Sequence, residues 1–139
     1  MRDIFANFRT ASDGDLTATE TTAGVYLGAA PLVGTPVAIG IPEMDDDADS
    51  LTITFEESAE LAGTYRAIDT LQPVIDDTDH ALQVPTTRHI RINNKLDYVR
   101  MVFTVAGATP NFGAVTAGVD LGSYPNVLTG GPATTTGGY

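Results

Sequence analysis

The residues best placed to do chemistry are carboxylates. Counting from Asp45, the run Asp45-Asp46-Asp47-Ala48-Asp49-Ser50 puts acids at positions one, three and five, and Glu56 falls at position twelve. That is the ligand spacing of a helix–loop–helix calcium site, with Ser50 where the sharp turn calls for glycine. The apolar alternation before and after the loop reads as strand, so the expectation is a solvated acidic turn, with a calcium loop at Asp45, Asp47, Asp49 and Glu56 as the competing reading. A second cluster, Asp76, Asp77 and Asp79 with His80, has residue types that bind divalent metals. Between two strand candidates it reads as turn chemistry. Nucleophilic catalysis needs a nucleophile, a base and an orienting group. The two histidines, His80 and His89, offer no such set, and no Gly-x-Ser-x-Gly elbow, phosphate loop or dinucleotide fingerprint occurs. The sequence therefore predicts no catalytic residue, no cofactor and no metal.

Arginine is the other informative type. Arg91 and Arg100 fall on the polar faces of two strand candidates, while Arg88 shares the parity of Ile90 and Ile92. Cross-strand ion pairing explains such residues, and so does a protein interface, where arginine is enriched. Arg88, Arg91 and Arg100 are accordingly interface candidates. The uncharged segment Gly122–Tyr139 (GSYPNVLTGGPATTTGGY) adds Tyr124 and Tyr139. Rich in Gly, Thr and Pro, it buries too little apolar surface to order alone and is expected to order on a partner.

The elements that carry these residues are strands. In Tyr98–Val105, Val99, Met101, Phe103 and Val105 share one face, and Leu51, Ile53 and Phe55 repeat the pattern in Leu51–Glu56. Shorter strand candidates are Leu16–Thr21, Val25–Leu27, Val37–Ile41, Thr64–Ile68, Leu71–Ile75, Ala81–Val84, Arg88–Ile92 and Phe112–Asp120. Glu56–Leu61 is the best internal helix candidate, and Ile4, Phe5 and Phe8 have helical spacing near the start. The pattern predicts an all-β fold, an antiparallel β-sandwich or jelly roll over residues 16–121, with an N-terminal arm at 1–15 and a flexible C-terminal arm at 122–139.

Composition narrows the function. Among 139 residues, eighteen acids oppose seven bases, for a formal charge of −11. Scattered arginines in so acidic a chain predict no direct nucleic-acid binding, and favour a basic or mixed-charge protein partner. The absence of cysteine excludes disulfides and thiolate sites. Residues 21–42 are uncharged over a membrane-spanning length, but the glycines and prolines within them suit strands and turns, so no membrane segment is expected.

In order and spacing, Thr17-Ala18-Thr19, Val25-Tyr26-Leu27-Gly28, Pro36-Val37-Ala38-Ile39-Gly40-Ile41, Asp49-Ser50-Leu51-Thr52-Ile53, Tyr98-Val99-Arg100-Met101, Phe103-Thr104-Val105-Ala106-Gly107 and Gly113-Ala114-Val115-Thr116-Ala117 resemble the jelly-roll capsid cement, or decoration, proteins of tailed bacteriophages. The resemblance implies a virion protein, made in the host cytoplasm, that adds to the outside of the major capsid shell, often as a homotrimer. There it bridges neighbouring capsid subunits and helps the shell resist internal DNA pressure. A tail, neck or head-completion component, and a carbohydrate- or calcium-binding adhesion module, are the alternatives.

Overall fold

In a computed structural model, which describes residues 7–44, 49–68, 74–75 and 85–119, the chain folds as two antiparallel sheets packed face to face. One sheet runs β1 (Asn7–Arg9), β10 (Thr116–Val119), β4 (Thr35–Ile41) and β8 (Thr86–Ile92). In the other, β9 (Tyr98–Ala106) and β5 (Ser50–Ser58) form the centre. Beside β9 lie β2 (Glu20–Thr21) and β3 (Val25–Tyr26), and beside β5 lie β6 (Arg66–Ala67) and β7 (Val74–Ile75). The expected all-β sandwich is the observed architecture.

Alternation decides which residues face inward. Leu51, Ile53 and Phe55 of β5 and Val99, Met101 and Phe103 of β9 are all fully buried, and they meet Val37, Ile39, Ile41 and Ile92 of the opposite sheet. The β5–β9 register pairs Ser50 with Ala106 and Ser58 with Tyr98, so the two long strands match end to end. Where β2 and β3 diverge from β9, side chains extend the ladder: the hydroxyl oxygen of Thr19 accepts from the Val105 amide at 3.0 Å, and that of Thr22 from the Met101 amide at 3.0 Å.

Two expectations are corrected. Glu56–Leu61 is not a helix: Glu56, Glu57 and Ser58 continue β5, and only then does the chain turn. Pairing along the whole of β9 outweighs the weak helical preference of EESAEL. Within the described part of the expected N-terminal arm, residues 7–15, Asn7–Arg9 form an edge strand of the first sheet while residues 11–15 are exposed; Ile4 and Phe5 lie outside the described residues. In β1 the register slips between Asn7 and Arg9, a bulge that lets the consecutive side chains of Phe8 and Arg9 both turn inward. Phe8 meets Phe55 edge-to-face, with ring centroids 6.5 Å apart. Arg9, 1% exposed, donates to the carbonyls of Gly14 (2.9 Å) and Val115 (2.8 Å) and from Nε to Glu20 Oε2 at 3.0 Å. One guanidinium thereby joins β1 of the first sheet to β2 of the second and closes that end of the core.

Replacing Arg9 by Leu would strand two carbonyls and one carboxylate. Glu20 is 39% exposed, which lets water replace part of the loss. The expected destabilisation is about 3 kcal/mol by chemical denaturation. A loss below about 0.5 kcal/mol, the range of ordinary surface substitutions, would show that the guanidinium does not hold the sheets.

Candidate interaction surface

Strand direction gathers three connections at the end of the sandwich opposite Arg9. These are residues 27–34 between β3 and β4, 59–65 between β5 and β6, and 93–97 between β8 and β9. The large hydrophobic side chains exposed among the described residues, Tyr26, Leu32, Val33 and Leu61, all lie at this end.

Tyr26 and Tyr98 are direct cross-strand partners, and their rings meet edge-to-face at 5.4 Å. Two residues along β9, on the same outward face, the Arg100 guanidinium lies over the Tyr65 ring at 4.1 Å and donates from Nε to Glu56 Oε1 at 2.7 Å. The Tyr65 hydroxyl donates to the Leu61 carbonyl at 2.9 Å, folding the β5–β6 connection back over the sheet. Gly24 makes that fold possible, because a Cβ there would collide with the Tyr65 hydroxyl and press on Leu61 Cδ1 at 3.1 Å. Tyr26, Leu61, Tyr65, Tyr98, Arg100 and Glu56 together form an amphipathic platform with Tyr26 64% exposed. It has the side-chain chemistry of a protein-contact surface.

Behind the platform, a buried carboxylate and a buried amide fix the loops. Glu57 continues the inward parity of Leu51, Ile53 and Phe55 and is 4% exposed. Its Oε1 accepts from the amides of Lys95 (2.7 Å) and Leu96 (3.0 Å), and its Oε2 from Arg66 Nε at 3.1 Å. Burial pushes its pKa up, but the two amides and the Arg66 charge together push harder the other way, leaving it below the ordinary carboxylate value. Asn94, 1% exposed, donates to the carbonyls of Gly28 (2.7 Å) and Leu96 (2.9 Å) and accepts from the Thr35 hydroxyl at 3.3 Å.

The sequence-derived candidates separate in space. Arg100 belongs to the platform. Arg91 and His89 point outward from β8 on the other sheet, and Arg88 is half-buried on the inward parity, so the three arginines do not form one patch. Asp49 is buried at the start of β5 and Glu56 lies seven strand steps away, about 23 Å, so the two cannot share an ion. Glu56 is instead the partner of Arg100. Asp45, Asp47, Asp76, Asp77, Asp79, His80, Tyr124 and Tyr139 lie outside the described residues. Among the described residues no three His, Cys, Asp or Glu side chains group as metal ligands, and no helix is long and apolar enough to cross a membrane. A cleft of about 380 Å³ between Gly40, Pro42, Pro85, Thr87 and Thr116 has no titratable lining residue. Sequence reasoning passed over Tyr26, although its alternation with Val25 and Leu27 signals an outward ring. It also passed over Glu57, whose inward parity was legible.

No protein-family model matches the chain, and no curated protein does. Among solved structures it is similar to a crystal structure of PirA, with 21% sequence identity and a TM-score of 0.42, over 76% of this chain and 90% of that one.

The lowered Glu57 pKa fixes the sign of an acid response. A carboxylate whose folded pKa lies below its unfolded value stabilises the fold above the unfolded value, and that contribution fades as pH falls through the folded one. Stability of the native protein should therefore fall with acidification below about pH 4.5, the ordinary value for this group. Glu57→Gln should be less stable at pH 7 and show a flatter acid limb in denaturant melts. Parallel acid limbs for the two proteins would exclude Glu57 as the source.

Proposed function

We propose that this chain is a virion structural protein of the jelly-roll cement type, which binds the outside of a major capsid shell and bridges neighbouring subunits. The observation that carries the reading is the Tyr26–Tyr98–Arg100–Tyr65 platform, an exposed aromatic and arginine surface on a hydrogen-bonded scaffold. Its groups suit recognition, since ring faces and a guanidinium supply contact area at small entropic cost. The order of motifs shared with the cement proteins supports the same class. A homotrimer on a symmetric shell would repeat each weak contact many times, turning modest affinity into high avidity. The net charge of −11 suits a basic or mixed-charge shell surface, and the segment 122–139, with Tyr124 and Tyr139, is the proposed second contact.

The test is addition of the purified protein to shells that lack it, followed by quantification of bound copies and of shell melting. Binding on the order of hundreds of copies and a raised shell melting temperature are expected for a protein that covers a symmetric shell. The substitution Tyr26→Ala, at a ring 64% exposed, should weaken occupancy by roughly tenfold while its own melt stays close to wild type. A single small ring of copies per particle would instead favour the neck or head-completion reading.

A second reading rests on the same rings: Tyr26, exposed beside Tyr98 and an Arg–Glu pair, could stack on a sugar. A glycan array showing selective binding that Tyr26→Ala abolishes would establish the adhesion reading in place of the capsid one.

A further inference from the structure

One buried carboxylate takes no part in the closures and contacts described above. Asp49 stands immediately before β5 and is 2% exposed. Its Oδ2 is sealed from solvent and has no hydrogen-bond partner. Glu57, the other buried acid, shows the contrast, since two amides and an arginine satisfy it. A charged oxygen left without such partners is among the most costly groups a fold can bury.

Among the described residues no cation answers Asp49. Between Arg9 and Arg66 the sequence contains no Arg, Lys or His. Arg9, at the same end of the sandwich, is spent on the Gly14 and Val115 carbonyls and on Glu20. Arg66 holds Glu57 and Arg100 holds Glu56, both toward the far end of β5. Lys95 lies in the β8–β9 connection at that far end, and Arg88 and Arg91 belong to β8 of the opposite sheet. The fold nevertheless keeps room at this carboxylate. The β5–β9 register sets Ser50 opposite Ala106, which brings Asp49 beside Gly107. Gly107 has φ +138°, and a Cβ there would collide with Asp49 Oδ1 and stand 3.0 Å from its Cγ. Backbone conformation and space both demand glycine beside the carboxylate.

We infer that Asp49 is the buried ligand of a calcium site at the Arg9 end of the sandwich. A bound cation supplies the countercharge that no described arginine or lysine does. Ligand chemistry selects the ion. The donor is a hard carboxylate oxygen, the chain has no cysteine, and His89 lies on the other sheet. Oxygen donors suit calcium and magnesium, whereas zinc and copper favour imidazole and thiolate. Calcium accepts an irregular shell of carboxylate, carbonyl and water oxygens, while magnesium demands a nearly ideal octahedron. An acid at the ragged end of a sheet meets the first requirement more readily than the second. Glu56, paired with Arg100, plays no part in this site. The inference stands apart from the capsid reading and survives its failure.

Thermal melts of the full chain, in EDTA and in calcium chloride up to about 10 mM, test the site. Wild type should melt roughly 5 °C higher at saturating calcium, because a ligand that binds only the folded state stabilises it by mass action. The rise should saturate with a midpoint of ~0.1–1 mM, the range of weak calcium modules. Asp49→Asn removes the charge and keeps the shape. In EDTA this variant should melt at or above wild type, since it buries no charge, and calcium should not raise it. If Asp49 were only structural, the variant would melt lower than wild type by the same amount in both conditions, and the site would be wrong. Wild type indifferent to calcium overturns the inference. So does an equal rise in Asp49→Asn, or an equal rise with sodium chloride at matched ionic strength, either of which assigns the effect to general acidic charge. Titration calorimetry on wild type keeps the question open to test if the asparagine variant does not fold. A saturable calcium isotherm is expected, and heats that do not saturate overturn the site. Equal affinity for magnesium overturns the choice of ion.

Discussion

Two sheets without a disulfide are held together only by what lies between them, and the ends of such a core are where water enters first. Hydrophobic packing closes the middle of this sandwich, where Phe55, Phe103, Ile39 and Ile41 meet with no solvent contact. The ends need groups that satisfy the carbonyls and amides of chains crossing from one sheet to the other. Arg9 does this at one end, and Glu57 with Asn94 does it at the other. Each places a strongly hydrogen-bonding side chain where an aliphatic one would leave several backbone groups dehydrated and unpaired. The sheets stay in register because both closures are met at once.

The two closures differ in consequence. Arg9 faces inward and touches only the fold's own backbone and Glu20. Glu57 and Asn94 lie behind the platform, so the groups that exclude water from the core also hold Arg66, the neighbour of Tyr65, and the two ends of the β3–β4 turn. Rigidity at the surface is a by-product of closing the interior. That is why an aromatic platform can stand on short connections with no α-helix and no metal-ligand cluster among the described residues to brace it.

Period-two alternation made most of the fold legible in the sequence. β4, β5, β8 and β9 each lie over the segment where apolar residues alternate, because inward positions in a sandwich have no other way to be filled. The N-terminal boundary was illegible because it depends on a bulge, and a one-residue slip leaves no mark in composition. Glu56–Leu61 misled because local helix preference is weak beside nine paired positions on β9. Of the candidate surface, Arg100 was legible from its outward parity. Tyr65 and Leu61 were not, since they reach the platform through a fold-back that Gly24 permits and no periodicity encodes. The acidic spacing at Asp45–Glu56 is a one-dimensional match; of its described members, an extended strand carries Glu56 away from Asp49.

The separation of the two ends also bears on how such a protein can diversify. A substitution at Leu32, Val33, Leu61 or Tyr26 meets solvent and leaves Arg9, Glu57 and Asn94 untouched. The surface at this end can therefore change its side chains on the same closures without compensating changes in the core. For the engineer, the same arrangement makes the β3–β4 turn a place to graft a foreign epitope and have it displayed at a fixed angle.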